Sequence, residues 1–151
     1  MNLTEQTDHQ ELLARAMLKM FSDRRRGFGN LQGEGTAHTA ESAETTSLCT
    51  LDSEGNAVCL TYSNNNHSGV VIPGTGILMN NQMALFSPWP NNPNEVSKGK
   101  RPVSSMMPSI ILKNNSVKLV LGASGSTRIP TSLMQVLYRF FLQNKSLIDA
   151  I

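Results

Sequence analysis

Residues 45–63, TTSLCTLDSEGNAVCLTYS, constrain the fold more than any other stretch of this chain. Two runs rich in β-branched and apolar residues flank a polar turn, so 46–52 and 57–63 are predicted to be antiparallel strands joined at Glu54-Gly55. The hairpin begins at a boundary, because the residues before Thr45-Thr46 are small and polar. A threonine at such a boundary can act as an internal nucleophile. It cuts the bond before it, and its freed amine then serves as the base for its own hydroxyl. The plainer reading of a Thr-Thr pair is β-branched packing in a strand.

The rest of the chain supplies helices and a second hairpin. Leu12, Leu13, Ala16, Met17, Met20 and Phe21 recur at helical spacing, which predicts a helix over 9–21 with Asp8 and Glu11 as a capping box. Gly27 and Gly29 lie beyond its expected end, and from there to Glu44 the composition is that of a linker, suited to bending a scissile bond into reach. A strand is predicted at 77–80, after the turn Pro73-Gly74-Thr75-Gly76. Pro88, Pro90, Pro93 and Pro102 mark 86–102 as a loop. Residues 109–113 and 117–122 form a second predicted hairpin around Asn114-Asn115. A helix over 131–143 follows, with Pro130 in its first turn and an apolar face of Leu133, Val136, Leu137, Phe140 and Phe141. Residues 147–151 begin another helix. Strands with helices on their faces define an α+β plan.

Composition narrows the function. The chain has 151 residues, enough for one domain with a core, and a formal net charge of +2 with 16% charged residues. That balance favours neither nucleic-acid steering nor disorder. Arg24-Arg25-Arg26 is the only basic cluster and reads as a solvated helix end rather than a nucleic-acid site. No apolar stretch is long enough to span a bilayer. The opening MNLTEQTDHQELL is polar and acidic, unlike a signal peptide. His9, His38 and His67 lack metal-ligand spacing, and no metal or cofactor is implied. Cys49 and Cys59 flank the first turn. A cross-strand disulfide is conceivable there, but two buried free thiols are the reading taken.

Four stretches taken in order carry a resemblance: TTSLCTLDSEGNAVCLTYS, SGVVIPGTGILMNNQM, GKRPVSSMMPSIIL and LGASGSTRIPTSLMQVL. From Thr45 to Ile151 the chain resembles the small subunit of a γ-glutamyltransferase, the γ-glutamyl transpeptidase or glutathione hydrolase family of N-terminal-nucleophile hydrolases. The resemblance implies a partial αββα sandwich. Residues 1–44 would be the tail of a large-subunit segment and processing linker, and 45–151 a small-subunit core incomplete at its C-terminal end. It also implies that most of the large subunit, a partner of this piece, is missing. Family members are usually exported, which implies a periplasmic, extracellular or outer-membrane-face location.

The resemblance implies roles for particular residues. Thr45 would be the nucleophile and Glu44–Thr45 the processing bond. Ser63 stands where the family has a threonine supporting the nucleophile. Asn65, within Asn64-Asn65-Asn66, and Gln82 would contact the amino-acid end of a γ-glutamyl small-molecule substrate. Ser104 and Ser105 would hydrogen-bond its α-carboxylate, and Gly125 would belong to an oxyanion turn. Without the resemblance, Ser104-Ser105 reads as a small-residue turn. Three departures from the family pattern stand out: Leu85 replaces an acidic partner for the substrate α-ammonium, Ser47 replaces a histidine, and Ser124 and Ser126 flank a single glycine. The implied activity is γ-glutamyl transfer or hydrolysis by a self-cleaving enzyme present as a fragment. The alternative is a catalytically inactive, degenerate homologue serving as a binding or structural module.

Overall fold

The computed structural model describes residues 3–28 and 44–151, which form two compact units. The described part of the first comprises 3–28, 86–103 and 134–151; that of the second comprises 44–85 and 104–133. In chain order the elements are α1 (Leu3–Phe28), β1 (Thr46–Leu51), β2 (Ala57–Tyr62), β3 (Ser109–Lys113), β4 (Ser116–Leu121), α2 (Ile129–Phe141) and α3 (Leu147–Ala150).

In the first unit, α1 is longer than its sequence pattern indicates. It runs through Gly27, and Asp8 lies inside it rather than capping it. Glu11 is engaged elsewhere, paired with Arg15 at 2.7 Å one turn on. Lys19 and Asp23 make a similar pair at 2.8 Å. Exposed pairs of this kind stabilise a helix by only about 0.3–0.5 kcal/mol each. The half-buried stripe is His9, Leu13, Met17, Met20 and Phe21; Leu12 and Ala16, expected on it, are exposed. His9 meets the buried Tyr138 edge to face, with ring centroids 6.4 Å apart. The proline-rich loop is indeed irregular. Its buried Asn94 holds it together by accepting from the Val103 N–H on Oδ1 (3.1 Å) and from the Ser87 N–H on its carbonyl (2.8 Å). Ser146 caps α3 by accepting from the Asp149 N–H.

The second unit is built from two antiparallel hairpins, β1–β2 and β3–β4. Asp52 organises the first turn: its Oδ1 accepts from the N–H groups of Glu54 and Asn56, and Gly55 takes φ +91°. Hydrogen bonds from the side chain and backbone of Asn56, then from Glu54 and Gly55, hold the Asp52 carboxyl below its ordinary range. The second turn is shorter than its pattern suggests, and β4 starts at Ser116. Asn114 and Asn115 both adopt positive φ, which closes a two-residue turn and pairs Lys113 with Ser116. A register irregularity at Ile111/Leu112 follows.

The strand expected at 77–80 is absent. Only an isolated bridge joins Val71 to Leu78, because Gly69, Gly74 and Gly76 at positive φ bend the chain too often for a regular ladder. The later helix starts two residues earlier than expected and stops two earlier, with Pro130 in its first turn. Leu119, Leu121, Ile129 and Leu133 are buried in this unit, while further along α2 Phe141, expected on its apolar face, is 38% exposed.

The hairpins meet through small groups. The Cys59 thiol donates to the Leu121 carbonyl at 3.1 Å. A Cβ on Gly122 would collide with the Ser47 side chain and press on Cys59 Sγ at 3.4 Å. Glycine is therefore required there by close approach rather than by torsion.

Candidate functional site

Ladder geometry places the candidate nucleophile. The Asp52 N–H donates to the Asn56 carbonyl at 3.0 Å, so 52 and 56 form a hydrogen-bonded position in the ladder. Alternation along an antiparallel pair then makes 49/59, 47/61 and 45/63 non-hydrogen-bonded positions on one face, where side chains approach most closely. The side chains bear this out in three successive pairs. Cys49 and Cys59 sulfurs are 3.3 Å apart, Ser47 and Thr61 hydroxyls 3.4 Å, and Thr45 Oγ1 donates to Ser63 Oγ at 3.0 Å. Thr45 and Ser63 sit one step beyond the last strand pair, Thr46–Tyr62, at the open end of the hairpin.

That third pair anchors a cluster. Ser63 Oγ also accepts from the Asn65 N–H at 2.9 Å, and Gln82 Nε2 donates to the Ser63 carbonyl at 3.0 Å. Asn65 takes φ +58°, and Asn64 holds the turn, its carbonyl accepting from the N–H groups of His67 (3.1 Å) and Asn81 (3.2 Å). Thr45, Ser63, Asn65 and Gln82 are thus brought together from three segments. A cross-strand polar pair stabilises a sheet by only about 0.2–1 kcal/mol. A half-buried hydroxyl pair at a strand end therefore adds little to stability.

The other site residues lie on other segments of this unit. Ser104 is exposed, and its Oγ closes its own turn by accepting from the Met106 N–H at 3.1 Å. Ser105 is half-buried beside it on the approach to β3. Gly125 takes φ +119° at the start of the short 3-10 turn Ser126–Arg128 that leads into α2, and its carbonyl accepts from the Arg128 N–H at 3.0 Å. A Cβ there would meet only Arg128 Cβ, at 3.9 Å, so torsion rather than space calls for glycine. Leu85 ends the 3-10 turn that Gln82 begins. Ser47 lies next along the face from Thr45 and directs its hydroxyl toward Thr61 and the Leu60 carbonyl.

One neighbour of the site was missed by sequence reasoning. His67 Nε2 lies 3.5 Å from Glu44 Oε1, the side chain immediately before Thr45. Its Nδ1 accepts from the Gly69 N–H at 3.1 Å, which leaves the ring proton on Nε2, facing the carboxylate. Glu44 Oε2 is buried with no hydrogen-bond partner among the described residues. Nothing in the spacing between Glu44 and His67 signals this contact; it arises where the asparagine turn puts His67 at φ +48°.

The cysteines are free, as expected, but not buried. Cys49 is exposed and Cys59 half-buried, because the face they share is only partly covered. Partial burial of its sulfur, the hydrogen bond shared with Cys59 and the nearness of the Cys59 charge push the Cys49 thiol up to about 11.

Paired antiparallel hairpins with helices make an α+β fold, one shared with the N-terminal-nucleophile hydrolases. The gamma-glutamyltranspeptidase family model matches residues 3–151, and the chain belongs to that family. It is 38% identical over 130 residues to glutathione hydrolase 2 of Arabidopsis thaliana, a match covering 78% of this chain and 21% of that protein. A putative inactive glutathione hydrolase 4 of the same plant is 39% identical over 110 residues, covering 64% of this chain and 58% of that one. Among solved structures, the gamma-glutamyltranspeptidase of Pseudomonas nitroreducens complexed with L-DON matches with a TM-score of 0.68 and 39% identity, over 71% of this chain and 62% of that chain. The chain therefore spans about a fifth of the length of the first of these relatives (21%). Among the described residues, no helix is long and apolar enough to cross a membrane.

Proposed function

We propose that this chain carries the processing site and nucleophile of a γ-glutamyl-transferring or γ-glutamyl-hydrolysing enzyme, with Thr45 as the nucleophile. The observation that carries this reading is the 3.0 Å hydrogen bond between Thr45 Oγ1 and Ser63 Oγ at the open end of β1–β2. In the first step the Thr45 hydroxyl attacks the Glu44 carbonyl carbon, the Glu44–Thr45 C–N bond breaks, and the acyl group moves from nitrogen to oxygen. Water then cleaves the ester, leaving a Glu44 carboxylate and a free Thr45 amine. In turnover that amine takes the hydroxyl proton as Thr45 attacks a γ-glutamyl amide, and water or an acceptor amine releases the acyl group.

The surrounding residues have supporting roles in this reading. Ser63 holds the Thr45 hydroxyl, and His67 holds the Glu44 side chain beside the bond to be cut. Asn65 and Gln82 contact the amino-acid end of the donor, Ser104 and Ser105 its carboxylate, and the amides around Gly125 the developing oxyanion. Residues 1–44 form the end of the upstream piece and 45–151 the downstream piece. The remainder of a longer protein completes the site.

The test is mass spectrometry of the chain joined to its upstream sequence. Cleavage between Glu44 and Thr45 is expected, and Thr45→Ala should leave a single uncut chain. Cutting that persists in Thr45→Ala removes the assignment.

A second reading is favoured by Leu85, which offers no charge to a substrate ammonium, and by similarity to a protein described as putatively inactive. In that reading the chain is a non-catalytic homologue with a binding or structural role, and no self-cleavage occurs. If the enzyme is active, Leu85→Asp should raise kcat/KM for a γ-glutamyl anilide several-fold by supplying the missing carboxylate. An unchanged or lower value would show that another group meets the ammonium.

A further inference from the structure

The geometry points to a modification site that the reaction does not use: we propose that Cys49 and Cys59 form a reversible intramolecular disulfide across β1–β2. The two residues are register partners, and their sulfurs already touch at 3.3 Å. They also occupy a non-hydrogen-bonded position of the ladder, fixed by the 52/56 bond three steps away. Cα atoms there lie about 4.5 Å apart, inside the range of about 4.4–6.8 Å that a disulfide spans. Hydrogen-bonded positions on the same hairpin would hold the side chains further apart. Closing the bond requires a short approach of two thiols already facing one another, with no change of strand register.

Access is in place as well, and the raised Cys49 thiol makes the first attack faster as pH rises. Cys49 is exposed and can meet a small oxidant, while Cys59 is half-buried and faces it from β2. The chemical class of co-reactant is a low-molecular-weight disulfide. The Cys49 thiolate attacks one of its sulfurs and releases the first small thiol, leaving a mixed disulfide on Cys49. Cys59 then attacks the Cys49 sulfur and releases the second. The two protein thiols are oxidised, the small disulfide is reduced to two thiols, and the two protons leave with them. Cys59 gives up its hydrogen bond to the Leu121 carbonyl in the process.

The bond lies on the same face as Thr45–Ser63, two pairs along. Oxidation therefore fixes the register of both strands that carry the candidate nucleophile and its support. The dithiol itself is independent of what Thr45 does.

The experiment uses oxidised glutathione on the chain, followed by alkylation of remaining thiols and peptide mapping. The chain has only two cysteines, so loss of both thiols from a monomer identifies the bond without ambiguity. The expected product is one linked pair of peptides containing Cys49 and Cys59, reversed by dithiothreitol. The folded chain should reach it at roughly tenfold lower oxidised glutathione than the chain in urea, because the fold supplies the effective concentration. Cys49→Ser and Cys59→Ser should instead stop at a glutathione adduct on the remaining thiol. Four results would each overturn the proposal: glutathione stably retained on Cys49 in the wild type, disulfide-linked dimers, equal oxidation in urea, or wild-type thiols that stay alkylatable where the single variants form adducts.

Discussion

The two hairpins share one unit and one topology, yet they spend their side chains differently. β3–β4 sends Leu119 and Leu121 into the core, each at 9% exposure. β1–β2 buries no side chain fully; one face carries the row of hydroxyl and thiol pairs, and the other leaves Leu48, Val58, Leu60 and Tyr62 more than half exposed. The lesson is a division of labour. One hairpin is held by apolar burial, at about 1.5–3 kcal/mol for each fully buried large side chain. The other is held by its ladder and by contact with the first, which leaves its inner face free to present polar groups.

Truncation experiments probe that division most strongly. Leu121→Ala is expected to destabilise the chain by about 2–4 kcal/mol, through lost burial plus a cavity. Leu60→Ala, on the exposed face of β2, is expected to cost well under 1 kcal/mol in the isolated chain. Urea unfolding followed by circular dichroism checks both. Equal losses would mean that the β1–β2 outer face is covered in solution, for instance by self-association, and would erase the contrast.

The contact between the hairpins is tested at Gly122. Gly122→Ala should cost about 1–3 kcal/mol, since the added methyl group forces the Ser47 side chain aside and crowds Cys59. A neutral substitution in the same unfolding assay would show that the hairpins part easily. The smallest effect concerns the thiol pair. Cys59→Ser removes the neighbouring thiol and its charge, which are the second and third causes of the raised Cys49 value. The Cys49 thiol should then titrate below its present value of about 11, as read from the pH dependence of its alkylation rate. An unchanged titration would assign the shift to burial alone.

Much of this was legible in the chain. Both hairpins, the proline loop, α2 and α3 follow from alternation, turn residues and helical spacing, because these signals are local. Membership of the family was legible in four ordered stretches, although no single one of them specifies it. The misses have different causes. The strand expected at 77–80 failed because neighbouring glycines at positive φ interrupt its pairing, whereas α1 ran past both its expected cap and Gly27. His67 carried no signal at all, since its contact with Glu44 depends on a turn built by three asparagines.

The sequence by itself determined where both hairpins, α2 and α3 lie, which residue types are available for chemistry, and that Thr45 stands at a boundary. Those properties depend on side-chain period and on the torsional preferences of individual residues. Only the tertiary structure decided that Thr45, Ser63, Asn65 and Gln82 converge, that Ser47–Thr61 and Cys49–Cys59 continue the same row, and that Gly122 must lack a side chain. Convergence of that kind follows from ladder register and from the close approach of two hairpins. Both are fixed by hydrogen bonds and excluded volume between residues far apart in the chain, which no local pattern encodes.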